Sequence, residues 1–234
     1  PKGGCAAVSH DMAAKAKSLG VEIRLNEPVR EIKFADRQAT GVVTDQGEYD
    51  CDALVINADF AYAMSELVPN SLRRHWNDER LEQKKYSCST FMLYLGLEGE
   101  YPQLEHHNIF LSDEYKQNLK DIEVNHRLSN NPSFYVCNPC RRDPSMAPAG
   151  KTALYMLVPI THEHPNVDWD RETKRYRDLA IRQLAKLGVA DIESKIEYEK
   201  VITPRDWKQN YSVYRGAVFN LAHSLSQMLY LRPQ

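Results

Sequence analysis

The sequence predicts a mixed α/β protein (α+β mixed). Three observations predict it. Residues 171–187 repeat apolar side chains at three- and four-residue spacing, the mark of an amphipathic helix. Residues 89–97, 133–138 and 152–160 are short β-rich apolar runs. Asp45-Gln46-Gly47 joins two alternating stretches as a hairpin turn would.

The elements follow in order. Met12, Ala13, Ala16 and Leu19 share one face of a helix over 10–19, which Gly20 stops. "VEIRL" (21–25) alternates as a half-buried strand, broken at Glu27-Pro28. "VREIKF" resumes as a strand with Ile32 and Phe34 on one side, and a second strand near 41–44 enters the hairpin. Ala53 to Ile56 is continuously apolar, as in a strand covered on both faces. Helices are expected over 60–67, 71–83 and 112–123. "PCRRDPSMAPAGK" reads as a Pro-rich loop between two core strands. Tyr176, Leu179, Ala180, Leu184 and Leu187 form the apolar stripe of the 171–187 helix, and "KIEYEKVIT" is a final strand ended by Pro204.

The chain has 234 residues, enough for one large domain or two small ones. It is 42% apolar and 26% charged, ordinary for a soluble globular protein. A net charge of −2 gives no general affinity for nucleic acid. No apolar run approaches the roughly 20 residues that cross a bilayer, and the start has no signal-peptide pattern. The opening lacks a methionine and the end, Leu-Arg-Pro-Gln, has no obvious terminator, so the chain is expected to be part of a longer protein. Five scattered cysteines do not make a disulfide framework, and a reducing, cytoplasmic setting is expected.

Cys137-Asn-Pro-Cys140 is half of a zinc or redox motif, but no second CxxC completes it, so it reads as structural. His106-His107 and His162-x-His164 read as solvated loop histidines. There is no Gly-x-Ser-x-Gly elbow, HExxH, GxGxxG or Walker motif. Gly3-Gly4 before a helix either lets backbone approach a ligand or is a plain turn. Asn57 and Asp59, at the end of an apolar run, either cap the helix from Phe60 or border a ligand, and both roles are compatible. The aromatic-rich stretch 204–221 either lines an apolar pocket or packs as core.

Four stretches carry a resemblance. "KGGCAAVSHDMAAKAKSLGVEIRLNEPVREI", "DALVINADFAYAMSELVP", "CNPCRRDPSMAPAGKTALYMLVPI" and "TPRDWKQNY…RGAVFNLAHSLSQMLYLRP" resemble, in order over residues 2 to 233, segments of CrtI-type phytoene and carotenoid desaturases. Those are FAD-dependent, amine-oxidase-like oxidoreductases. The resemblance implies part of a Rossmann-type FAD-binding domain over 1–64. It also implies a substrate domain with a mixed sheet flanked by helices over 65–220, and a return toward a C-terminal flavin segment over 221–234. FAD is implied for the full-length protein, near Gly3, Gly4, Val29, Asn57, Ala58 and Asp59. Without a dinucleotide fingerprint, this stretch alone is expected to retain FAD weakly.

The implied reaction desaturates a long apolar polyene precursor such as phytoene. Phe91, Leu93, Tyr94, Tyr211, Tyr214 and Phe219 are expected to line its slot. No side chain stands out as acid or base. A lipid-dwelling substrate implies peripheral membrane contact. Related readings are a carotenoid isomerase, a retinol saturase and a non-enzymatic Rab-escort-like prenyl-lipid carrier. Two departures stand out. Cys140 stands where relatives usually carry a small hydroxyl residue, and Asn220 stands where glycine is common.

Overall fold

A computed structural model describes residues 2–189 and 191–227, so the expected C-terminal return lies outside the described residues beyond Gln227. Helix α1 (Gly4–Ser18) starts three positions after the chain begins and is Ala-rich, which favours helix without packing. It buries no residue, and Met12 is exposed. Gly20, at φ +85°, ends it: Val21 N donates to Ala16 O at 3.1 Å and Gly20 N to Lys17 O at 3.0 Å. This double bond is a left-handed glycine cap, and Lys15 and Lys17 in the last turn suit the helix dipole.

The strand expected over 21–25 does not form. The segment runs without ladder partners among the described residues, with Val21 and Leu25 exposed. Alternation alone does not make a strand; it needs a neighbour for its N–H and C=O groups. The buried strand expected at Ala53–Ile56 is corrected for the same reason. That stretch has no strand pairing, and Val55 is 89% exposed.

The hairpin expectation holds. β1 (Val29–Ala35), β2 (Gln38–Thr44) and β3 (Gly47–Asp50) make a three-stranded antiparallel sheet in chain order. Asp45-Gln46 closes the Thr44–Gly47 pair, and Arg30 clamps the turn with two bonds to Asp45, at 2.8 and 2.7 Å. Glu27 pins the incoming segment, accepting from Thr44 Oγ1 at 2.6 Å and Tyr49 OH at 2.8 Å.

Helix α2 (Phe60–Leu67) follows, then a short 3-10 turn at Asn70–Leu72 and α3 (Asp78–Gln83), capped by Asn77, whose Oδ1 accepts from Arg80 N at 3.0 Å. The larger sheet holds β4 (Ser89–Glu98), β5 (His107–Phe110), β6 (Phe134–Cys137), β7 (Lys151–Ile160) and β8 (Ile196–Ile202). Their order is β5-β6-β7-β4-β8, and every pairing is antiparallel, so the mixed sheet expected over 65–220 is a five-stranded antiparallel one within a mixed α/β fold. Helix α4 (Tyr115–Lys120) runs into a π turn (Asp121–Asn125) between β5 and β6. Helices α5 (Trp169–Gln183) and α6 (Pro204–Tyr211) precede and follow β8.

Register sorts the side chains of this sheet. Residues directly opposed on antiparallel strands share a face. One row is therefore Asn108, Val136, Met156, Leu93 and Val201; the next row on the opposite face is His107, Cys137, Tyr155, Tyr94 and Lys200. The first face is the core. Phe91, Leu93, Val136 and Met156 are buried there against Trp169, Tyr176 and Ala180 of α5. Phe91 meets the Tyr176 ring edge-on, with centroids 5.2 Å apart. A smaller core joins Ala61, Leu81, Tyr86, Ala217 and Leu221.

Candidate functional site

The two faces of the large sheet differ. Along β7 burial alternates at every step, with Leu154, Met156 and Val158 shut in and Tyr155 and Leu157 half-buried on the other side. That second face carries an aromatic ladder. Tyr94 and Tyr155 lie 5.9 Å apart between ring centroids, Tyr155 and Tyr135 5.8 Å, and Tyr135 and His107 5.9 Å. His107 Nδ1 and the Tyr135 hydroxyl are hydrogen-bonded at 2.6 Å. Ile109 extends the face at its edge and is 70% exposed. Burial pushes the hydroxyls of Tyr94, Tyr135 and Tyr155 above the ordinary phenol value, so all three stay protonated and neutral near pH 7. The result is an aromatic and aliphatic surface with hydroxyls but no phenolate charge.

Of the six residues expected to line an apolar slot, Tyr94 sits on this open face. Phe91 and Leu93 do not: both are fully buried on the helix-covered face, and that part of the expectation is corrected. Leu93 and Tyr94 are adjacent in one strand and so point to opposite sides. Tyr211 is half-exposed on α6 and packs on Trp207 at 4.8 Å. Tyr214 lies against Tyr86 at 5.0 Å, and half-exposed Phe219 donates its backbone N–H to Ser87 Oγ at 3.1 Å. Tyr135 and Tyr155 were missed by the sequence reading, because only the pairing of β6, β7 and β4 puts them on the face of Tyr94.

A second region lies beside the small sheet. Val29, Leu54, Ile56, Asn57, Ala58 and Tyr62 border an open pocket of about 340 Å³. It brings together three of the residues expected near a flavin: Val29, Asn57 and Ala58. Asp59 stands just behind. Its Oδ1 accepts from Tyr62 N at 2.9 Å, capping α2, and Oδ2 accepts from Asn220 Nδ2 at 2.9 Å. Burial raises the Asp59 carboxyl above its ordinary value, against the pull of backbone N–H groups from Tyr62 and Tyr214.

Gly3 and Gly4 are elsewhere. Gly3 N donates to Asp143 Oδ2 at 2.7 Å, and both glycines have positive φ, +84° and +72°. Gly4 borders a separate pocket of about 620 Å³ with Lys2, His106, Arg142, Asp143 and Met146. The Gly-Gly turn is thus anchored on the Pro-rich loop, where Asp143 also caps a 3-10 turn through Ser145 N.

The histidines expected as solvated loop residues are grouped instead, with His106, His162 and His164 half-buried in loops and His107 at the start of β5. His162 and His164 gather around His126, with ring centroids 5.2 and 4.3 Å from it. His106 and His107 come together with buried Cys137. Strand β5, which the sequence reading did not assign, makes that second grouping.

The whole chain, residues 1–234, matches the family of flavin containing amine oxidoreductases. The chain belongs to that family. A 4,4'-diapophytoene desaturase (4,4'-diapolycopene-forming) of Methylomonas sp is 43% identical over 99% of this chain and 46% of its own length. An all-trans-zeta-carotene desaturase of Myxococcus xanthus is 40% identical over 100% of this chain and 45% of its own. A phytoene desaturase of Phycomyces blakesleeanus is 33% identical over 100% of this chain and 41% of its own. This member of the family thus spans less than half the length of the curated relatives it matches. An oxidoreductase of Methanosarcina mazei shares the fold, with a TM-score of 0.57 at 17% identity over 86% of this chain and 42% of that one.

FAD is the cofactor of an amine oxidoreductase of this kind. The residues beside the small sheet fit the flat, uncharged parts of that molecule. Val29, Val55 and Ile56 leave 37%, 89% and 40% of their surfaces open around a concavity that also offers the Asn57 amide. A lining of mostly aliphatic side chains with one amide suits ring systems better than a charged pyrophosphate.

Proposed function

We propose that this chain is the substrate-holding and part of the flavin-holding portion of an FAD-dependent carotenoid desaturase, with residues 1–64 on the flavin side and 65–220 on the substrate side. The observation that carries the reading is the two-faced large sheet: one face filled by α5, the other carrying the Tyr94–Tyr155–Tyr135 ladder between Lys200 on one side and His107 on the other. A polyene precursor offers almost no hydrogen bonds, so its binding comes from apolar contact, about 25 cal/mol per Å² before ordering costs. Tyr94, Tyr135, Tyr155, Leu157 and Ile109 supply such contact, and the relatives named as desaturases of phytoene, zeta-carotene and diapophytoene support that substrate class.

The reaction removes a pair of hydrogens across a saturated C–C bond of the polyene and leaves a new double bond. FAD supplies the redox chemistry by accepting the electron pair. The protein's part is to hold the hydrocarbon straight and keep water from the reacting carbons. Val29, Asn57 and Ala58 are the residues assigned to the cofactor side; the Gly3-Gly4 turn, held on Asp143 beside a separate pocket, is not among them. Asp59 holds the Asn57–Ala58 segment in place through its cap.

The test gives the full-length enzyme phytoene, FAD and an electron acceptor, and follows visible absorbance and product mass. Longer conjugation with loss of hydrogen pairs is expected. An unchanged number of double bonds would instead mark an isomerase, and a lower number a saturase. A preparation that carries prenyl lipid without flavin absorbance would mark a carrier.

The protein is also proposed to be cytoplasmic and to touch a membrane surface, because its substrate lives in lipid. No helix among the described residues is long and apolar enough to cross a membrane. Ile109, Leu111, Leu119 and Val124 are exposed on and around α4 and offer an apolar contact. Co-sedimentation of the full-length enzyme with vesicles tests this, and full recovery in the supernatant rejects it.

A further inference from the structure

We propose that His106, His107 and Cys137 bind a thiophilic divalent cation of the zinc class, at a site separate from the pocket beside the small sheet. Their ligating atoms all lie within 4.8 Å of one another, and no ion is present. Zinc bonds run about 2.0–2.3 Å, so small side-chain rotations close the three donors on one ion. Two imidazoles and a thiolate are a donor set that zinc favours over magnesium or calcium.

The backbone fixes the arrangement. His107 and Cys137 are directly opposed on β5 and β6, which puts both side chains on one face. His106 is tied to the residue after Cys137, because Asn138 N donates to His106 O at 3.0 Å. Both histidine rings are already in contact, with centroids 4.2 Å apart.

Two further observations point to a cation. His106 Nδ1 is buried with no hydrogen-bond partner among the described residues. A buried polar atom left without a partner is costly, and a metal bond removes that cost. The His107 ring is held from outside: its Nδ1 and the Tyr135 hydroxyl are hydrogen-bonded at 2.6 Å, and the tautomer with its hydrogen on Nδ1 leaves Nε2 as the ligating atom. Such an outer partner, holding the ring and its tautomer, is the usual companion of a ligating histidine. Three protein donors leave a fourth position, and His106 also borders the 620 Å³ pocket. On binding, the Cys137 thiol gives its proton to solvent and its sulfur to the ion. The ion would fasten edge strand β5 to β6.

The experiment titrates zinc into the purified protein against a chromophoric chelator, and uses cobalt as the spectroscopic probe. One equivalent of zinc and a thiolate-to-cobalt charge-transfer band are expected. His107→Ala, at an exposed position, should weaken binding by at least about tenfold with an unchanged far-UV CD spectrum, and Tyr135→Phe by about 10–100-fold. Cys137→Ser should abolish the cobalt band, while Cys140→Ser keeps it. The absence of stoichiometric zinc, wild-type affinity in His107→Ala, or a cobalt band that survives Cys137→Ser would overturn the proposal. None of these readouts needs flavin or turnover.

Discussion

Asn220 Nδ2 donates to Asp59 Oδ2 at 2.9 Å, across 161 residues of sequence. Asn220 has φ +64°, the left-handed conformation in which glycine and asparagine are the easiest residues. Asparagine at this position therefore keeps the backbone turn and adds a bond to the cap of α2. Asp59→Ala removes the cap and leaves the Asn220 amide without its acceptor. A loss of about 1–3 kcal/mol is expected in urea unfolding. Asp59→Asn keeps an Oδ1 acceptor for Tyr62 N and should lose less.

Leu93 and Tyr94 offer a sharp contrast. Leu93→Ala empties part of the core beneath α5 and should cost about 2–5 kcal/mol of stability. Tyr94→Ala trims a half-buried ring on the other face and should cost less stability than Leu93→Ala while raising KM for the polyene. A KM unchanged in Tyr94→Ala would remove that side chain from the substrate surface.

His126 and His162 make stability depend on pH. Burial holds both below the ordinary value of 6.5, with His164 close by as a further like charge when protonated. His162 also faces Arg215 and the Glu163 carbonyl, and His126 is bonded to Thr161 Oγ1 at 2.7 Å. The unfolded chain takes up these protons first as pH falls. Stability is therefore complete above about pH 6.5 and declines as pH drops through the lowered folded values. The unfolding midpoint should be lower at about pH 5 than at about pH 7.5, and His162→Gln should reduce that difference.

Gly216 turns the chain after α6. It has φ +63°, and a Cβ there would sit 2.2 Å from Pro204 O, on rigid backbone. Gly216→Ala should destabilise by about 1–3 kcal/mol through strain and displacement of the α6 start. Thermal unfolding checks it, and an unchanged Tm would mean the two segments separate freely.

Local patterns made much of this fold legible. The hairpin at Asp45-Gln46, the core strands and the α5 stripe follow from period and turn chemistry, which act over a few residues. Helix α6 was equally readable and was passed over. Thr203, Pro204 and Asp206 spell its start, with Thr203 Oγ1 and Asp206 Oδ2 capping each other's backbone N–H groups. What was not legible needs a partner distant in sequence. "VEIRL" and Leu54–Ile56 carry strand patterns, but a ladder takes two strands. His107 and Cys137 meet only because β5 pairs with β6, a register that neither segment states alone.

The unpaired stretches at 21–25 and 54–56 have a practical meaning. Backbone outside any ladder, beside bare Leu25 and Val55 side chains, invites strand addition. The polypeptide should therefore associate into oligomers through these stretches, and its soluble yield is a simple gauge of how strongly they pair.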